Sequence, residues 1–142
     1  MKKVLLLMML MCVIVVGVFN TNLGFSEIAW GEDNYYKVTT TSLSNAPVGE
    51  LLNCGDSYII TCDNIDVFAK YQSVSAYGND YVNLNNFINN NKLTLVERYW
   101  VDTALVSSYY SPWFSDVDGI NFQVADYGSY YVIGYPLIFE GF

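Results

Sequence analysis

The chain has 142 residues, of which 53% are hydrophobic, 17% aromatic and 14% charged, with six basic against fourteen acidic side chains and no histidine. That balance fits one globular domain and excludes a disordered polar tail. Without histidine, the commonest general base, the commonest metal ligand and the usual pH switch are all missing, and much enzyme chemistry is closed before any motif is read.

Lys2 and Lys3 precede an unbroken apolar run from Val4 to Phe19, the basic and hydrophobic regions of an export signal. The run is short for a bilayer span, which needs about 20 residues, and it decays into Asn20, Thr21 and Asn22. Gly24 and Ser26 place small residues where a signal peptidase needs them, so residues 1–26 read as a signal peptide cleaved before Glu27. The alternative is an uncleaved anchor, with membrane contact only through residues 4–19. Either way the expected location is extracytoplasmic, secreted or tethered by the N-terminus. Removing Lys2 and Lys3 leaves Lys37, Lys70, Lys92 and Arg98 against all fourteen acids, a net charge of about −10. Scattered cations on so acidic a chain exclude electrostatic binding of nucleic acid, which needs clustered Lys and Arg.

Residues 27–50 read as a polar lead-in, with turn signals at Gly31-Glu32-Asp33-Asn34 and Asn45-Ala46-Pro47 and one weakly alternating strand over Tyr35–Thr40. Residues 51–142 are expected to form the single domain. Cys54 and Cys62 are an even pair in an exported chain, which invites a disulfide. The segment between them reads as a strand, and five extended residues span roughly 16 Å, beyond the Cα separation a disulfide tolerates unless the chain bends. Two buried free thiols are the other reading. Gly55-Asp56-Ser57 has the look of a serine-hydrolase opening, but no histidine completes a triad, so a turn before a strand is the simpler account.

Asn64 is a cap for a short helix carrying Ile65, Phe68 and Ala69, and Tyr71–Tyr77 alternates with Val74 and Ala76 on one face. Asn79 or Asp80 caps a second helix bearing Leu84, Phe87 and Ile88, ended by Asn89-Asn90-Asn91. Strands follow over 93–101, 104–110, 120–125 and 130–133, joined by turns at Asp102-Thr103, Asp118-Gly119 and 126–129. The expected fold is α+β: an antiparallel sheet of about four to six strands with one main helix packed on one face.

Tyr109-Tyr110-Ser111-Pro112, Asn121-Phe122-Gln123-Val124-Ala125 and Gly134-Tyr135-Pro136-Leu137-Ile138, running to Gly141-Phe142, resemble the C-terminal part of the YwmB-like exported proteins of endospore-forming bacteria. The resemblance covers residues 84–142. It implies a TATA-box-binding-protein-like fold, no defined biochemical activity, and no DNA binding here given the charge.

Chemistry is otherwise sparse. Glu97 and Asp102 stand an odd number of residues apart on one expected strand and point to opposite faces, and Glu97 beside Arg98 reads as a solvent-face pair. Asp116-Val117-Asp118-Gly119 and the group Asp63, Asn64 and Asp66 offer oxygens for calcium, but the later ligands of a calcium loop are missing and hairpin-turn chemistry accounts for Asp-Gly. No catalytic residue, metal or cofactor is expected. The aromatic excess remains: Tyr109, Tyr110, Trp113 and Phe114 cluster around Pro112, and Tyr131 lies in the last strand. Adjacent tyrosines cannot both point inward, so these five are the candidate binding surface, for a protein or an envelope polymer. The expected function is an exported noncatalytic binding or structural component of the cell envelope or spore-forming compartment. A carboxylate-dependent wall-glycan hydrolase and a self-assembling surface subunit are the alternatives.

Overall fold

The computed structural model describes residues 28–44, 46–65 and 71–138. The export segment 1–26, most of the helix read after Asn64, and the terminal Gly141-Phe142 lie outside the described residues.

Among the described residues eight strands and one helix follow in chain order: β1 Tyr35–Thr40, β2 Glu50–Asn53, β3 Tyr58–Cys62, β4 Ser73–Gly78, α1 Tyr81–Asn90, β5 Thr94–Val101, β6 Ala104–Tyr110, β7 Phe122–Asp126 and β8 Tyr131–Tyr135. They form a single sheet in the order β2-β3-β1-β4-β8-β7-β6-β5, and every neighbouring pair is antiparallel. The α+β class is as expected, but eight strands exceed the four to six read from the sequence. The excess lies in the first half. The segment taken as a polar lead-in supplies β1, which sits inside the sheet between β3 and β4 and belongs to the folded domain.

The helix starts where its cap dictates. Asp80 is extended, at φ −91° and ψ 99°, and its side chain accepts from the backbone N–H of Val82 and Asn83. Leu84 and Phe87 then point to the sheet and are buried. At the far end Asn91, only 1% exposed, donates through Nδ2 to Phe87 O at 2.9 Å and accepts from Ala29 N at 2.9 Å. One side chain thus closes the helix and ties residues 28–30 against it.

The main core lies between the sheet and α1. Phe87 meets Phe122 edge-on, with ring centroids 5.5 Å apart, and Trp30 at 5.3 Å. Val38, Val74, Val124 and Ile133 fill the same face. Strand alternation sends Val106, Ala125 and Val132 to the opposite face, where they form a smaller cluster with Ala104 that Ile138 packs against. The last four strands make the meander expected from the sequence. Its hairpin turns use left-handed residues: Asp102 at φ 50°, and Asp118 and Gly119 at φ 52° and 81°.

Cys54 lies in the turn after β2 and Cys62 at the end of β3. Both are free thiols, and Cys54 is exposed rather than buried, at the turn where Gly55 takes φ 86°. Cys62 is buried, and burial, with a smaller contribution from Asp63, pushes its thiol pKa up.

Candidate functional site

The five aromatics read as a binding surface separate into two groups. Tyr109, Phe114 and Tyr131 are core residues, at 8%, 4% and 0% exposure. Only Tyr110 and Trp113 reach the surface, at 36% and 37%. The alternation argument holds at Tyr109-Tyr110, where one ring points in and the next out. It places Tyr131 wrongly, because Tyr130 is the outward member of that pair.

Phe114 is inside because a buried amide pulls its loop inward. Asn121, fully buried, donates to Ser111 O at 2.6 Å and Phe114 O at 3.2 Å and accepts from Ser111 N at 2.9 Å. The clamp fixes Ser111–Phe114, inserts the Phe114 ring 5.2 Å from Phe122, and leaves Trp113 on the rim.

Tyr131 is inside because its phenol finds a partner. The hydroxyl donates to Asp33 Oδ1 at 2.8 Å and accepts from Asn83 Nδ2 at 3.2 Å, while Asn83 Nδ2 also donates to Asp33 Oδ1 at 2.9 Å. Gly78 leaves room for it, since a Cβ there would fall 2.5 Å from the Tyr131 oxygen. Burial raises the pKa of Asp33, which the two hydrogen bonds only partly offset, and burial also raises that of Tyr131. The Tyr36 hydroxyl is pushed up to about 12, by burial first and then by the charge of Asp33. Asp33 Oδ2 is buried with no hydrogen-bond partner. This group borders a cavity of about 330 Å³ lined by Trp30, Glu32, Asp33, Tyr36, Asp63 and Asn64 among others.

The Asp116–Gly119 segment is a turn, with Gly119 N donating to Asp116 Oδ2 at 2.8 Å and Val117 bridged to Ile120. No group of three or more Cys, Asp or Glu side chains among the described residues is placed to hold a metal ion. Glu97 and Arg98 do not pair as read: Arg98 Nε donates across the strand to Ser107 Oγ at 2.9 Å.

What the sequence reading missed is the outer edge of the sheet. β5 is the last strand, eight residues long, and every position from Thr94 to Trp100 is exposed. Leu95, Val96, Tyr99 and Trp100 lie open at 45%, 53%, 38% and 69%. The signal was present in Leu-x-Leu-Val-Glu-Arg-Tyr-Trp from Leu93: two adjacent apolar pairs, Leu95-Val96 and Tyr99-Trp100, each put one side chain on each face. A register shift between Leu95 and Glu97 bulges the strand, and Glu97 and Arg98 put charge at its middle, both devices that limit indiscriminate edge pairing. At the other edge β2 is fully exposed, with Leu51 at 50% and Leu52 at 60%.

No family model, curated protein or solved structure matches this chain. Among the described residues no helix is long and apolar enough to cross a membrane.

Proposed function

We propose that this chain is an exported, noncatalytic binding or structural component of the cell envelope or spore-forming compartment, and that it works through the open β5 edge of its sheet. The observation that carries the reading is the exposed β5 strand, which offers a row of unpaired backbone groups flanked by Leu95, Val96, Tyr99 and Trp100. Such an edge binds an extended segment by adding it as a further strand: backbone hydrogen bonds give affinity, and alternate side chains give selectivity. The basic and apolar N-terminal run supports export, and the YwmB-like pattern over residues 84–142 fits the same setting. Tyr110, opposite Thr94 at the end of β6, and Trp113 in the loop that follows would widen the contact.

The experiment is cell fractionation with protease accessibility. The wild-type chain is expected outside the cytoplasm and associated with the envelope. Trp100→Lys, at a position 69% exposed, is expected to release it to the soluble extracytoplasmic fraction with circular dichroism unchanged. Retention of the variant in the envelope, or a cytoplasmic wild type, refutes the reading.

One observation favours a second reading, the wall-glycan hydrolase. Asp33, held toward its protonated form by burial, shares the 330 Å³ cavity with Asp63, Glu32 and the Trp30 ring, the ingredients of an acid and a base beside a sugar-stacking surface. Release of soluble fragments from purified wall glycan, abolished in Asp33→Asn, would establish it; no release excludes it.

A further inference from the structure

We propose that the strand β5 accepts is β2 of a second copy of this chain, so that copies join head to tail into one continuous sheet. The inference rests on the reading of β5 as a pairing edge. Three observations choose the occupant.

The first is topology. The sheet has eight strands, all antiparallel to their neighbours, with β2 at one edge and β5 at the other. With an even number of alternating strands the two edge strands run in opposite directions. A copy displaced along the sheet therefore brings its β2 antiparallel to β5, and the alternation continues unbroken. The joint is heterologous and does not close on itself; with the sheet's own twist it propagates as an open filament.

The second is register. Arg98 lies across from Ser107 and Trp100 across from Leu105, on the helix-bearing face, while Tyr99 lies across from Val106 on the other. On β2, Leu51 lies across from the core residue Ile60, and Leu52 from Ile59 on the opposite face. Facing side chains in a sheet must share a face, so only alternate registers are allowed. One of these sets Trp100 against Leu51 of the next copy and Tyr99 against its Leu52. It covers Trp100 and Leu52, the most exposed apolar side chains of β5 and β2, and it places Arg98 against Asn53. Sliding by two residues either way breaks both apolar pairs.

The third is charge. Of the three described basic residues, Lys92 precedes β5 and Arg98 lies at its middle, and in this register Arg98 faces Asn53 while the chain leading into β5 runs past the β2–β3 turn that carries Asp56. In a β5-to-β5 dimer the two registers centred on the strand set Arg98 against Arg98 or Glu97 against Glu97, a like-charge contact at the middle of the joint. Two like-charge approaches remain in this register, Asp102 near Glu50 and Glu97, opposite Cys54, near Asp56, and salt screens both.

The test uses the full chain in mild detergent, with sedimentation velocity as readout. Wild type is expected to grow with concentration beyond the dimer. Trp100→Lys and Leu52→Lys, each at an exposed position, are each expected to sediment as monomers with unchanged circular dichroism. Mixed one to one, they are expected to form a dimer and nothing larger, since the intact β5 of one meets the intact β2 of the other. A Leu52→Lys chain that still dimerises alone identifies a β5-to-β5 contact and overturns the inference while leaving β5 as a pairing edge. A wild type that stays monomeric also overturns it, and envelope release of Trp100→Lys then decides the broader reading separately. Register is read by Glu97→Cys in a Cys12→Ser background, because position 97 falls opposite the native, exposed Cys54 of the next copy. Mild oxidation is expected to give a reducible ladder that Cys54→Ser abolishes. Absence of the ladder in chains that do grow refutes the register.

Discussion

Asn121→Ala removes the clamp that holds the loop after β6, and its cost follows from the contacts. Three hydrogen bonds disappear, to Ser111 O, Phe114 O and from Ser111 N, all at a side chain with no exposure. Each buried hydrogen bond contributes about 1 kcal/mol net, and a buried backbone group left unpaired costs about 1–3 kcal/mol. The loop can relax and admit water to part of the vacated space, which lowers the total. We expect a loss of about 3 kcal/mol, which for a domain of this size lowers the melting temperature by on the order of 10 °C. Urea unfolding followed by far-ultraviolet circular dichroism measures it. Tryptophan emission adds a local readout: Trp113, partly covered at 37% exposure in wild type, should shift to the red before the global transition. Asn121→Asp keeps the acceptor for Ser111 N but loses both donors and buries a charge, so it should be worse than alanine. A loss under about 1 kcal/mol, or an aspartate variant more stable than the alanine one, would refute the assignment of the loop's order to this amide.

Asp33→Asn should be neutral or stabilising at neutral pH, because asparagine still accepts from Tyr131 and Asn83 at Oδ1 while an ionised group is no longer desolvated. The folded state binds this proton more tightly than the unfolded chain, whose value is near 3.8. The contribution is therefore most favourable below that value and is lost as pH rises through the raised folded pKa. Wild type should gain on the asparagine variant as pH falls through that window; parallel stability curves refute it. Ser75→Ala should cost nothing or stabilise by about 1 kcal/mol in chemical denaturation, since the Ser75 hydroxyl is fully buried and makes no hydrogen bond; a clear destabilisation would reveal a partner. In native thiol labelling mapped by peptide mass, Cys54 should react at once and Cys62 only after unfolding, and equal rates would contradict the burial of β3's end.

The second half of the fold was legible because local rules agree there. Asp80 caps α1, Asp-Gly and Asp-Thr turns separate the strands, and each connection joins neighbours in the sheet. In the first half the segments of β1, β3 and β4 were read but not their places, because β1 carries Lys37, Thr39 and Thr40 yet lies between β3 and β4, and β2 was missed, being four residues with adjacent leucines and no alternation. Strand order is a tertiary outcome that periodicity does not encode. The same gap misplaced the site. Tyr131 reads as an exposed strand tyrosine until Asp33, from a segment taken as lying outside the domain, arrives to accept its hydrogen bond. The exposure of β5 likewise follows from its place at the end of the order, whereas its paired apolar residues were visible in the sequence.

The insertion of β4 between β1 and β8 also sets an order of events. β8 comes last in sequence among the described strands, yet β4 needs it along one whole edge, in a register that runs from Val74 against Tyr135 to Gly78 against Tyr131. β1, β2 and β3 can pair among themselves early, and the β5–β8 meander forms from local hairpins, but the two halves join only when residues 131–135 are available. Until then the face that receives Phe87 and Trp30 is incomplete. The core therefore closes in a single late docking step, set by the pairing of residues 131–135 with β4.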